Sequence, residues 1–148
     1  MVANPSPSEL LKKYDVPTPR YTSYPTVPCW DTDSFSKSKW VTSVKRTFDE
    51  SNREKGISLY IHLPFCESLC TYCACTTRIT KSHLVELPYI QGILKEWETY
   101  KQIFGKTPVI RELHLGGGTP TFFSAQNLRW LISYLVEGVL IHEDTAFS

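Results

Sequence analysis

Four of the chain's five cysteines stand together as Cys66-Glu-Ser-Leu-Cys70-Thr-Tyr-Cys73-Ala-Cys75, directly after a short apolar run. Three thiolates separated by three and two residues can wrap one small inorganic cluster from a single loop. A four-iron, four-sulfur cube normally takes four cysteines, so three leave one iron open, much as a catalytic metal keeps an open position. Structural zinc is the competing reading of the same thiols, with His62, Cys75 or His83 available to complete four ligands. A disulfide is the third, and it depends on an oxidising compartment.

The rest of the sequence bears on that choice. No run approaches the ~20 apolar residues of a membrane span, and the start, Met1-Val-Ala-Asn-Pro-Ser-Pro7, lacks the basic and apolar regions of a secretory signal. The expected location is therefore cytoplasmic, where reduced thiols serve as metal ligands or catalytic groups more often than as structural bridges. Sixteen Lys and Arg against 15 Asp and Glu leave a formal charge of +1, which supplies no general attraction for nucleic acid or an anionic membrane. A length of 148 residues suits one ordinary domain with a buried core.

Along the chain, the Pro-, Ser- and Thr-rich start up to about Pro28 reads as an extended arm with one short helix, Ser8 to Tyr14. A second helix is expected from about Ser36 to Glu50, so residues 1–50 form an arm and helix and residues 51–148 the core domain. Ile57 to Leu63 is a β-branched and aromatic run suited to a buried strand. Tyr89, Ile90, Ile93, Leu94, Trp97, Tyr100, Ile103 and Phe104 then recur at the helical period and close near Gly105. A second unit repeats the pattern, with a buried strand from Val109 to Leu115, a tight turn at Gly116-Gly-Gly118, and a helix capped by Ser124 with Leu128, Leu131, Ile132 and Leu135 inward. Strand, helix, strand, helix implies an α/β fold with a parallel sheet. Two such units cannot close a barrel, and a third strand is expected to begin at Asp144-Thr-Ala-Phe-Ser148, so the sequence reads as a portion of something longer.

Tyr60-Ile-His-Leu-Pro-Phe-Cys66 leading into the CxxxCxxC loop, followed after the next strand by His114-Leu-Gly-Gly-Gly-Thr-Pro-Thr121, resembles the radical S-adenosylmethionine superfamily and its coproporphyrinogen oxidase branch. Arg20-Tyr-Thr-Ser-Tyr-Pro-Thr26 and the Cys73-Ala-Cys75 ending are similar to features of that branch. The resemblance implies the first two strand-helix units of a partial parallel β/α barrel, preceded by an N-terminal arm. It implies a 4Fe-4S cluster on Cys66, Cys70 and Cys73, with S-adenosylmethionine on the open iron. Gly117, Gly118 and Thr119 would contact the methionine part of that cofactor, and Tyr60 and Tyr72 match further contact positions, although either can be an ordinary packed aromatic.

The implied reaction is oxidative decarboxylation of the propionates of coproporphyrinogen III to vinyl groups, giving protoporphyrinogen IX, with an electron donor as partner and a monomeric chain. His62 is a candidate for proton transfer, weighed against a hydrogen-bonded core histidine. Arg20 is a candidate partner for a substrate carboxylate. Cys75 is given no ligand role, because a fourth thiolate would block the open iron. A haem-binding, non-catalytic relative and an inactive truncated product are the alternatives.

Overall fold

The structure, a computed structural model, describes residues 6–15 and 29–148. The chain divides into two compact units, Met1–Phe35 and Ser36–Ser148. The first contains α1, Pro7–Tyr14, which starts because Ser6 and Glu9 form a reciprocal capping box and Pro7 occupies the first turn, where its missing N–H costs nothing. Hydrogen bonds from Ser6 hold the Glu9 carboxyl below its usual range. The Arg20–Thr26 motif lies outside the described residues.

The second unit opens with α2, Lys37–Ser51, capped by the Ser36 hydroxyl, which accepts from the Lys39 amide at 3.2 Å. Its one buried residue, Phe48, stacks on Phe104 with ring centroids 4.0 Å apart. Three parallel strands follow: β1, Ile57–Leu63, a later strand, Val109–Gly117, and a last one, Leu140–Phe147. In chain order these are β1, β4 and β5, because two short strands intervene, β2 at Phe65–Cys66 and β3 at Arg78–Ile79, which pair parallel with each other. The three-stranded sheet runs β1-β4-β5. Helix α3, Glu86–Phe104, precedes β4 and ends on Gly105 in the left-handed conformation, φ 65°. Helix α4, Ala125–Val136, links β4 to β5 and is capped by Ser124. This is the parallel α/β arrangement expected from the sequence.

Two expectations are corrected. The third strand begins at Leu140, ahead of Asp144, because the apolar pair Leu140-Ile141 joins β4 before the charged stretch is reached. Strands β1 and β4 are also not buried on both faces. Along β1, Ile57, Leu59, Ile61 and Leu63 join the core while Ser58 and Tyr60 are exposed and His62 is half-buried. In β4, Ile110 and Leu113 are both buried though three residues apart, which strict alternation forbids. A register irregularity next to Glu112 resets the phase. The helices α3 and α4 pack together, and Leu63, Ile90, Ile110, Leu131 and Leu135 are fully enclosed in the shared core. Each such side chain contributes about 1.5–3 kcal/mol through burial.

Candidate functional site

The cysteine loop is closed at its base by the β2–β3 pairing. The Arg78 amide donates to the Pro64 carbonyl at 2.8 Å and the Thr80 amide to the Cys66 carbonyl at 2.9 Å. Between these ties the loop carries four free thiols, with Cys66 and Cys73 half-buried and Cys70 and Cys75 exposed. A local turn, Cys73 N–H to Cys70 carbonyl at 3.0 Å, shapes its tip. Tyr72, at that tip, is 88% exposed.

The glycine turn at the end of β4 is fastened to this loop. The Gly118 amide donates to the Leu63 carbonyl at 2.8 Å, the Thr119 amide to the Phe65 carbonyl at 3.0 Å, and the Thr119 hydroxyl lies 3.3 Å from the Cys66 sulfur. The glycines serve this closeness. Gly117 sits at φ +110°, and a Cβ there would fall 2.7 Å from the His62 ring, while one at Gly118 would fall 2.7 Å from the Pro64 backbone. Their lack of side chains therefore already has a use inside the fold, apart from any ligand.

Next to the turn, His62 is fixed at both nitrogens. Its Nε2 lies 2.8 Å from the Thr76 carbonyl, which can only accept, so Nε2 carries the hydrogen. In the neutral ring Nδ1 is then an acceptor, and the Tyr60 hydroxyl donates to it at 3.3 Å. The backbone carbonyl of His62 accepts from the Tyr89 hydroxyl at 2.8 Å. Burial, together with Glu96, pushes the Tyr89 hydroxyl up, so it stays a donor. Tyr60, His62, Cys66, Gly117, Gly118 and Thr119 are thus assembled where the carboxyl ends of β1 and β4 meet, the edge at which parallel α/β folds carry their sites.

Two participants had no signal in composition or periodicity. His114 is the in-register neighbour of Tyr60 across β1 and β4, and its ring stacks on the tyrosine with centroids 5.4 Å apart. The sequence shows it only as the first residue of the His114–Thr121 motif; the strand register reveals its place against Tyr60. Glu86, 2% exposed, is the first residue of α3. Its carboxylate accepts from the Ser124 amide at 2.9 Å, the Asn127 side chain at 2.6 Å and His83 Nδ1 at 2.6 Å. Burial works to raise its pKa, but these donors outweigh it and hold the carboxyl below the ordinary range.

Among the described residues, no three His, Cys, Asp or Glu side chains converge on a single metal-ion position. A four-iron cube takes one thiolate per iron, at its corners. The chemistry of the donor set fits the cube: free thiols on one loop, with Cys66 already anchored beside Thr119. A groove of about 540 Å³ runs between α2, β1 and α3; Tyr60 and His62 line it and no cysteine does.

Comparisons with known proteins bear on the fold and the family. No family model matches the chain. Among solved structures, coproporphyrinogen III oxidase from Escherichia coli, described as a radical SAM enzyme, superposes with a TM-score of 0.75 at 29% identity, over 94% of this chain and 29% of that one. The fold is therefore that of the radical SAM class. Within that class the chain resembles the oxygen-independent coproporphyrinogen III oxidases. It is 37% identical to the one from Pseudomonas aeruginosa over 86% of its length and 33% identical to the one from Paracoccus denitrificans over 95%. The Helicobacter pylori protein shares 38% over 78%. The chain spans only 27%, 30% and 25% of those three relatives. None of its described helices is long and apolar enough to cross a membrane.

Proposed function

We propose that this chain forms the cofactor-binding part of a cytoplasmic, monomeric radical S-adenosylmethionine enzyme that decarboxylates the propionates of coproporphyrinogen III. The observation that carries the reading is the 3.3 Å contact between Cys66 and Thr119, which joins the cysteine loop to the glycine turn. Cys66, Cys70 and Cys73 would hold a 4Fe-4S cluster, and Tyr60, Tyr72, Gly117, Gly118 and Thr119 would hold S-adenosylmethionine. When bound and reduced by an external one-electron donor, that pair supplies the means to remove a hydrogen atom from an unactivated carbon.

The chain's own residues do the holding. The β2–β3 ties fix the loop's base, so that its thiols need only close over the cluster from one side. Gly117 and Gly118 bring the turn's backbone against β1, which sets Thr119 beside the first ligand. His62, its Nε2 hydrogen held by Thr76, is the proposed proton-transfer residue, and its Nδ1 faces the Tyr60 hydroxyl. Arg20 is proposed to pair with a propionate carboxylate; Arg20→Lys should then raise KM for the porphyrinogen, since a bidentate fork is lost.

The test is anaerobic reconstitution with iron and sulfide, followed by an electron paramagnetic resonance spectrum of the reduced protein with and without S-adenosylmethionine. A cluster signal that shifts with the cofactor and disappears in Cys70→Ala supports the reading. Absence of a cluster, or a signal indifferent to both changes, overturns it.

A further inference from the structure

On the open face of the sheet, Tyr60 projects beside His62 on its own strand and His114 on the next, and it is 57% exposed. One side of its ring is taken. The His114 imidazole lies against it with centroids 5.4 Å apart and planes inclined by 19°, an offset-stacked arrangement. The hydroxyl end is taken as well, through its bond to His62 Nδ1 at 3.3 Å. Below, there is no room: a Cβ at Gly116 would meet the Tyr60 ring at 2.8 Å and His114 Nε2 at 2.9 Å.

His114 is itself anchored. Its Nδ1 lies 2.6 Å from the Ser148 hydroxyl. Ser148 in turn continues the β5 ladder, donating its amide to the Leu113 carbonyl at 3.1 Å and accepting the Leu115 amide at 2.9 Å. An exposed tyrosine ordinarily samples several χ1 rotamers, whereas this one is held on three sides by groups fixed to two neighbouring strands.

We infer that His114 is a positioning residue that presets the Tyr60 ring in the orientation in which it meets S-adenosylmethionine, an assignment that rests on the cofactor role proposed for Tyr60. Gly116 belongs to the same device, since it leaves the space across which the two rings lie. Presetting removes the cost of ordering the side chain when the ligand arrives, and so acts on affinity.

The experiment compares wild type, His114→Ala and His114→Phe. The phenylalanine keeps a ring to stack on and discards the bond to Ser148. The first readout needs no cofactor: with tyrosine rings isotopically labelled in the cluster-free chain, the Tyr60 ring resonances should move and sharpen in His114→Ala and stay near wild type in His114→Phe. The second is the S-adenosylmethionine titration of the reconstituted cluster's paramagnetic signal. An aromatic pair is worth about 0.5–1.5 kcal/mol, so His114→Ala should bind roughly 2- to 12-fold more weakly and His114→Phe within about twofold of wild type, at equal iron content.

Unaltered Tyr60 resonances in His114→Ala overturn the inference, as does altered ring behaviour with unchanged affinity. If the ring responds but wild type carrying its cluster binds no S-adenosylmethionine, the cofactor reading of the site fails, and the assignment of His114 to it falls too.

Discussion

Gly117 is the residue at which the fold tolerates least. Alanine there would have to hold φ at +110° and place its methyl group 2.7 Å from the His62 ring. Gly117→Ala should therefore cost at least about 1–3 kcal/mol, read as a lowered urea midpoint; a change under about 0.5 kcal/mol would show that the turn can move away from β1. The glycine triplet and the cysteine spacing were legible in the sequence, because each depends on residue type and order alone, whereas Tyr60 entered only through the family resemblance. The contact between Cys66 and Thr119 and the stack of Tyr60 on His114 were not, since both come from the register of strands far apart in the chain. Glu86 was hidden for a similar reason: its donors Ser124 and Asn127 arrive from the start of the next helix.

At the scale of elements, Glu86 joins the first turn of α3 to the first turn of α4, and a carboxylate at two helix N-termini is favoured by both dipoles. Glu86→Ala would strand a buried amide and the Asn127 side chain, and should cost about 3 kcal/mol by chemical denaturation. Its carboxyl is held low in the folded state, so its stabilisation is complete above the ordinary carboxylate range and is lost as pH falls through the lower folded value. Glu86→Gln should accordingly flatten the part of the stability profile that falls below about pH 4.5. A profile parallel to wild type would place the acid sensitivity elsewhere. The long elements were readable from apolar periodicity, whereas β2 and β3 were not, because two-residue strands inside a Cys- and Thr-rich loop present no pattern. The start of β5 was misplaced because His142, Glu143 and Asp144 interrupt its apolar residues.

Across the whole molecule, β4 is the central strand, paired on both sides and carrying the buried Ile110 and Leu113. Its amides should exchange with deuterium most slowly of all, with β5 exchanging ahead of it; equal protection in β4 and β5 would mean that the sheet opens as one piece. The sheet's two faces are unlike, one apolar against the helices and one bearing Ser58, Tyr60, His62, Glu112 and His114. On that second face, the carbonyl of Thr76 decides something at a distance. By claiming the hydrogen on His62 Nε2, it leaves Nδ1 to claim the hydrogen of the Tyr60 hydroxyl. What Tyr60 then offers at this point is an oxygen lone pair, a partner for ammonium groups, amides and hydroxyl donors.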